Sequence, residues 1–441
     1  MQDQKPAGLK IGPLAFQPGV TYGNVAAVVY SGFITVALMS YINFVQPFLL
    51  SDILHIPADQ QGSVTGNLVL LQEIIILTLM GFSGALSDRV GRRIIFVVGF
   101  LVLAAGYFLY PLVDNVAELY GARALFAFGA AIAPIMLTAC VVDLIHERSR
   151  GRWVGFISVI TALGAVFMAL VLSRLPKVFM ARGLSAGDAA EYAYWVAAAL
   201  CVMTSLILWF GIRGGVLSVP APVAQQRPSA IKGVTTGIRA AITNPRLGLA
   251  LAGGFIGRGD FAVVGTFFSL WIVQAGQAKG MPSGEALAYA GRMFGLVQLS
   301  AMIWGACMGV IADRIDRTSA LALAAVLAAI GYGVLSLVGD PFSGAMLAVA
   351  VLAGIGEVSV VVAASSLLGE QAPTDKRGAL SGLYGVLGAL GIAVVSFIGG
   401  QLFDIVAWHA PFMLMVGFNV ALAIAAFVVR SRGGAGVASA R

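Results

Sequence analysis

Two charged residues lie deep inside a long apolar stretch, at positions 258 and 260. The stretch reads Gly253-Gly-Phe-Ile-Gly-Arg258-Gly-Asp260, with apolar residues on both sides. A charged side chain in the hydrocarbon of a membrane costs several kcal/mol, so it normally faces a polar cavity or a partner. An arginine there can bind an anionic solute group, and an aspartate can bind and release a proton. The alternative is an ion pair or a tether between helices.

The spacing of this pair limits what one helix can do with it. On a regular helix, residues two apart point about 200° apart, so Arg258 and Asp260 face one cavity only if the helix is broken. The surrounding glycines permit such a break, and irregular backbone lines polar sites in membranes. Arg258 lies about 18 Å along the helix from Arg246, close to the middle of the span. We predict a functional role for both residues.

Two glutamates also lie deep inside apolar segments, Glu73 and Glu357. Burial disfavours the charged form of a carboxyl group, which suits such a group to take up and release a proton. Asp260, Glu73 and Glu357 are therefore the predicted proton-coupling residues. The alternative for each glutamate is a hydrogen-bonded side chain inside a helix bundle.

Further polar and aromatic residues are candidates for solute binding. Arg292 either meets an anionic group or extends to the membrane surface, and the same choice applies to Arg123. Uncharged hydrogen-bonding side chains in the first apolar segment suit the orientation of a solute. The predicted substrate-binding residues are Arg258, Arg292, Tyr41, Asn43, Gln46 and Trp271. For the aromatic residues, packing or lipid contact is the alternative.

The elements that must position these residues are membrane-spanning helices. The chain of 441 residues is 59% hydrophobic and only 11% charged, and apolar runs recur along its whole length. A spanning helix needs roughly 20 apolar residues, and strands would alternate in polarity. We predict an all-α membrane protein with about twelve spans: 24–49, 62–86, 93–112, 119–144, 152–173, 193–213, 246–275, 286–312, 319–338, 343–368, 379–402 and 411–430.

Arginine and lysine in the short loops predict the orientation. Basic residues concentrate in alternate loops, which places both termini in the cytoplasm of a cell with an inner membrane. The net charge of +7 therefore reflects topology and not a nucleic-acid partner. The polar, proline-containing segment divides the chain into residues 1–213, a cytoplasmic linker at 214–245, and residues 246–441. Residues 229–241 are predicted to form a short amphipathic helix on the cytoplasmic surface.

A loop motif occurs twice at a fixed distance. Gly84-Ala-Leu-Ser-Asp88-Arg89-Val-Gly91-Arg92 is repeated, as G-xxx-D-R-x-[GD]-R, from Gly309 to Arg317, 225 residues later. A weaker echo joins Asp143 and Arg150-Gly151 to Glu370 and Arg377-Gly378. Two motifs at nearly one offset indicate an internal duplication. Basic turns that only set the topology are the alternative.

This motif resembles the signature loop of the major facilitator superfamily. The resemblance extends over the chain and implies two six-helix bundles, related by pseudo-two-fold symmetry, around a central cavity. It implies that the loop glycines let helices touch, that Asp88 lies at a helix N-terminus of the other half, and that Arg92 pairs with Asp143. The implied gating residues are Gly84, Asp88, Arg89, Arg92, Asp143, Gly309, Asp313 and Arg317.

These features predict a secondary active transporter. We expect proton-coupled movement of a small anionic or zwitterionic organic solute by alternating access, as symport, in a monomer embedded in the lipid bilayer. A proton/drug antiporter that exports amphiphilic compounds is the main alternative, although the fifth helix lacks the Gly-Pro pair typical of many such exporters. A receptor, a passive channel and an intramembrane enzyme are disfavoured. The sequence contains no phosphate-binding loop and no metal-ligand spacing, so no cofactor is expected.

Overall fold

The computed structural model describes the backbone of residues 8–212 and 230–438. Side chains are described in these ranges except at residues 85, 88, 230–236 and 433–438. Within them, twelve helical segments are long and apolar enough to cross a membrane, which confirms the predicted all-α membrane fold. The described strands are two residues long each, β1 at Lys10–Ile11 and β2 at Leu14–Ala15.

The helices follow the apolar segments but extend beyond them. Their bounds are α1 Tyr22–Asp52, α2 Gln61–Val90, α3 Arg92–Leu109, α4 Val116–Leu144, α5 Arg150–Leu170, α6 Leu175–Met180, α7 Ala186–Gly211, α8 Ala230–Thr243, α9 Pro245–Ala278, α10 Ser283–Arg314, α11 Arg317–Ser336, α12 Ala345–Gln371, α13 Arg377–Ile405 and α14 Ala410–Ala438. The short helix α6 continues the span that α5 begins. Residues 213–229 of the predicted linker lie outside the described residues, and α8 is the helix predicted near 229–241.

Local polar residues set where several helices begin. Thr21 and Asn24 cap α1 reciprocally, side chain to backbone N–H in both directions. Ser185 and Asn244 cap α7 and α9, because their side-chain oxygens accept first-turn N–H groups. The segment before α1 pairs with the α4–α5 loop, where the Gln17 amide donates to the Leu144 carbonyl at 2.9 Å.

The chain divides into two compact units. Unit 1 comprises Met1–His55 and Ile74–Gln226, and unit 2 comprises Ile56–Glu73 and Arg227–Arg441. The predicted domain boundary follows the sequence order, whereas the first third of α2 packs with unit 2. In each unit, small and apolar residues fill the space between helices, as lipid-solvated bundles require.

Candidate substrate and proton sites

Arg258 and Asp260 point to opposite sides of one continuous helix. Helix α9 runs unbroken from Pro245 to Ala278, so the predicted break at the glycines is absent. Arg258 is exposed, whereas Asp260 is fully buried. The regular helix satisfies its own backbone hydrogen bonds, and this keeps the 200° separation of the two side chains. The pair therefore belongs to two different sites.

The Arg258 side chain lies against α13. A Cβ built at Gly388 would come within 2.8 Å of Arg258 Cγ, so only a glycine leaves room for the arginine there. The guanidinium lies 5.9 Å from the ring centroid of Phe261 and interacts electrostatically with Tyr384. Among the described side chains, no carboxylate forms an ion pair with Arg258. An exposed cation in mid-span is thus available to an anionic group.

Asp260 belongs to a buried polar cluster inside unit 2. Asn419 Nδ2 donates to Asp260 Oδ1 at 2.8 Å, while Asp260 Oδ2 has no hydrogen-bond partner. Asp260 interacts electrostatically with Glu357, and both act on the buried Tyr332.

The second acid of this cluster is Glu357. Gln298 Nε2 donates to its two carboxylate oxygens at 3.1 and 3.4 Å. Glu357 is only 4% exposed. Five helices, α9, α10, α11, α12 and α14, each contribute one polar side chain, and among the described residues none of the five is cationic.

Sequence reasoning identified Asp260 and Glu357 but missed their partners. Tyr332 and Asn419 lie 225 residues after Tyr107 and Tyr194, which are themselves buried polar residues. Comparison of the two repeats position by position would have marked them. Glu73, the third predicted proton-coupling residue, is 5% exposed and accepts a hydrogen bond from Gln72 at 3.4 Å.

A second buried polar cluster fills the interior of unit 1. Arg123 is fully buried and donates to Asn43 Oδ1, and it interacts with the Tyr110 hydroxyl. Tyr110 donates to Gln46 Oε1 at 3.0 Å. Complete burial excludes extension of Arg123 to the membrane surface. The Nε and Nη1 atoms of the guanidinium have no described partner, which leaves donors free inside the unit.

Three predicted substrate residues occupy other surroundings. Tyr41 is fully buried, with its hydroxyl 3.5 Å from the Ala193 carbonyl, and Trp271 stacks on Trp408 with centroids 4.2 Å apart. Their burial favours packing over solute contact. Arg292 is exposed and lies over the Tyr289 ring at 5.4 Å. The role of these residues in binding stays a prediction.

The repeated loops form matching ion pairs. In unit 1, Arg92 pairs with Asp143 as predicted, and in unit 2 the equivalent Arg317 pairs with Glu370 at 3.2 Å. Asp313 is exposed and lies 3.8 Å from Arg317. The ion pairs are present in the structure, whereas their gating role stays a prediction.

The remaining loop residues differ from what the resemblance implies. A Cβ built at Gly84 or Gly309 would meet no described atom within 4 Å, so neither glycine lies at a close helix contact. Both sites face open space, where a side chain would be tolerated. Arg89 is exposed, and the Asp88 side chain lies outside the described residues.

A tight helix crossing that the sequence reasoning missed lies inside unit 2. A Cβ at Gly66 would come within 2.3 Å of the Ser396 carbonyl oxygen, and one at Gly400 within 2.4 Å of the Gly62 oxygen. The carboxylate of Asp404 accepts the Gly62 and Ser63 N–H groups at 2.8 and 2.6 Å. The signal was present, because small residues recur every four positions in both helices.

Comparison with known sequences places these sites in context. The family model described as Major Facilitator Superfamily matches residues 28–396 and again 307–440. Magnetosome protein MamH of Paramagnetospirillum magneticum is 29% identical over 404 residues, which cover 89% of this chain and 88% of MamH. Magnetosome protein MamZ of the same organism is 28% identical over 86% of this chain, and the chain spans only 58% of MamZ.

Solved structures share the fold. The crystal structure of the nucleoside transporter NupG has a TM-score of 0.73 at 12% identity and covers 92% of this chain and 99% of NupG. A shorter stretch of 127 residues, 27% of this chain, is 30% identical to Multidrug resistance protein 1 of Bacillus subtilis and covers 33% of that protein.

Proposed function

The chain belongs to the major facilitator superfamily, and on this premise we propose that it is a proton-coupled symporter of a small anionic or zwitterionic organic solute. It acts as a monomer by alternating access, in the inner membrane, with both termini in the cytoplasm. Membership of a transporter family makes it a multi-pass transporter and not an enzyme. Small solute, proton and lipid are its expected partners.

The observation that carries the substrate class is the free cation on α9. Arg258 is exposed in mid-span and has no carboxylate partner among the described side chains. A guanidinium there is costly unless a group of opposite charge meets it during the cycle, and arginine binds carboxylate and phosphate groups in a bidentate manner. Gly388 provides the space in which the side chain lies.

The Asp260–Glu357 cluster supports proton coupling. Both acids are buried and hydrogen-bonded to neutral amides, and no cation among the described residues compensates them. A buried carboxylate without a cationic partner is more stable when it binds a proton. Asp260 and Glu357 therefore hold the transported proton, and Glu73 is the third candidate. Arg92, Asp143, Arg317 and Asp313, with Asp88, latch the loops during the cycle.

The test begins with a thermal-shift screen of the purified chain against small carboxylates, phosphates, zwitterions and hydrophobic cations. We expect an anionic or zwitterionic compound to stabilise the protein, and its uptake into proteoliposomes to follow an inward proton gradient. Arg258→Ala should lower its affinity by about 10-fold or more, because a charge-assisted contact contributes roughly 1.5–3 kcal/mol.

Two further variants separate binding from folding. Gly388→Ala should shift the Arg258 side chain and weaken binding in the same direction, whereas Arg152→Ala, an exposed loop arginine, should leave affinity unchanged. Unaltered affinity in Arg258→Ala would remove this arginine from the site. Uptake that ignores a pH step and a protonophore would overturn proton coupling.

A proton/drug antiporter is the second candidate. The partial similarity to Multidrug resistance protein 1 favours it. In that case only hydrophobic cations should stabilise the protein in the screen, and substrate should leave vesicles against an inward proton gradient.

A further inference from the structure

Helix α8 carries an apolar face that is open to its surroundings. Ile238 and Ile242 lie one helical turn apart on the same side and are 47% and 78% exposed. Gly237 packs closely on α13, where an added Cβ would lie 2.7 Å from Leu383 Cδ2. The helix is thus held against the bundle on one side while its isoleucines remain uncovered on another.

Beside this face lies a cavity of about 510 Å3. Its lining contains two cationic side chains and no carboxylate. The lining residues are Arg239, Ala240, Thr243, Asn244, Leu247, Gln371, Pro373 and Lys376. Neither Arg239 nor Lys376 forms an ion pair with a described side chain. The nearest acid in sequence to the cavity wall besides Asp375 is Glu370, which is engaged with Arg317.

The cavity lies at the membrane ends of three spanning helices. Helix α9 begins at Pro245, α12 ends at Gln371 and α13 begins at Arg377. The ends of spanning helices lie at the depth of the lipid headgroups, just outside the hydrocarbon. A polar, cationic cavity and an apolar face are therefore adjacent at the boundary between headgroups and acyl chains.

We propose that this cavity binds an anionic phospholipid. The headgroup phosphate lies between Arg239 and Lys376, and the acyl chains pass along Ile238 and Ile242. Basic pockets between helices on the cytoplasmic side suit anionic headgroups, and an amphipathic helix buries its apolar face among the first acyl carbons. Charge complementarity selects the anionic lipid, because a zwitterionic headgroup brings a cation to two cations.

The experiment uses native mass spectrometry of the full chain in detergent with equal amounts of phosphatidylglycerol and phosphatidylcholine. Wild-type protein should retain phosphatidylglycerol in preference by about fivefold or more, since each basic side chain adds to the attraction. Arg239→Ala with Lys376→Ala should abolish the preference, and the pair Arg239→Gln with Lys376→Gln should do the same if alanine impairs folding. Arg314→Ala with Arg432→Ala, two exposed arginines outside the cavity with the same loss of charge, should keep it.

A second arm separates lipid from a soluble anion. Ile238→Ser with Ile242→Ser should lower phosphatidylglycerol retention, and millimolar glycerol phosphate should fail to displace the lipid. Displacement by glycerol phosphate together with full retention in the serine variant would assign the cavity to a soluble phosphate and overturn the proposal. Equal binding of the two lipids by wild type, or an equal loss in the Arg314/Arg432 control, would also overturn it.

Discussion

The interiors of units 1 and 2 contain opposite charges at related places. Tyr107 and Tyr332 occupy equivalent repeat positions, 225 residues apart, and both are fully buried. Around Tyr107, unit 1 gathers tyrosines and the buried cation Arg123. Around Tyr332, unit 2 gathers the buried acids Asp260 and Glu357.

The difference teaches that duplication kept the scaffold and its loop ion pairs but not the buried chemistry. At another equivalent pair of positions, unit 1 has Tyr194 and unit 2 has Asn419, whose amide donates to Asp260. A tyrosine at that place packs against other rings, as Tyr194 does on Tyr110 at 5.3 Å. Substitution at a few buried positions was therefore sufficient to give the units different charges, while Arg92–Asp143 and Arg317–Glu370 remained alike.

The largest effect is expected from the acids of unit 2. Asp260→Asn, and Glu357→Gln separately, should reduce uptake driven by a proton gradient to the level without a gradient, because the amide cannot bind the transported proton. Exchange of substrate across the membrane without net proton movement should persist. Thr35→Val, at the equivalent position of unit 1, should retain coupled uptake. Loss of exchange in the acid variants as well would show that these residues are structural.

The cation of unit 1 should have the next largest effect. Arg123→Met should lower transport by about tenfold while leaving thermal stability nearly unchanged. Removing a buried charge saves its desolvation cost, of order several kcal/mol, which offsets the lost hydrogen bond to Asn43. Thermal unfolding in detergent measures stability, and vesicle uptake measures transport.

A double variant sharpens this prediction. Arg123→Met with Asn43→Leu removes both hydrogen-bonding partners and should be at least as stable as the single variant, because no buried acceptor is left unpaired. If both variants transport normally, the charge of Arg123 has no part in the cycle.

The loop pairs should have equal and smaller effects in the two units. Arg92→Gln and Arg317→Gln should each slow transport by about fivefold, as expected for a partly exposed ion pair that contributes about 1 kcal/mol. Substrate affinity in an equilibrium binding assay should change by less than the transport rate. A defect confined to binding would contradict the latch.

The smallest effects concern one motif position that the units solve differently. Gly91 has a φ of 101° before α3, whereas Asp316 caps α11 by accepting the Ser319 N–H at 2.9 Å. Gly91→Ala should destabilise the fold by about 1–3 kcal/mol through backbone strain. Asp316→Asn should cost less than about 1 kcal/mol, since asparagine also caps helices.

The pH dependence distinguishes these two changes. Burial acts to raise the pKa of Asp316, but hydrogen bonds from Ser319 and the nearby Arg246 and Arg430 outweigh it and hold the pKa below its ordinary value. The carboxylate therefore stabilises the fold at neutral pH, and this contribution is lost as the pH falls through the lowered pKa. Melting curves of Asp316→Asn and wild type should converge in acid, whereas those of Gly91→Ala should remain apart.

Much of the architecture was determined by the sequence itself. Twelve apolar runs predict twelve spans, because a backbone in hydrocarbon must satisfy its hydrogen bonds within a helix. The repeated loop predicts the duplication and the Arg92–Asp143 pair, since local spacing and opposite charge suffice. The buried position of Asp260 and Glu357 also follows from their surroundings in the sequence.

The tertiary structure alone decided which side chains meet. The sequence left open whether α9 breaks at its glycines, and the unbroken helix separates Arg258 from Asp260 by direction. Asn419, Gln298 and Tyr332 join the acids only because α14, α10 and α11 pack side by side, and no local pattern encodes that contact. Likewise, the glycines of α2 and α13 give a close crossing only when two distant segments meet, because hydropathy fixes what is buried but not its neighbour.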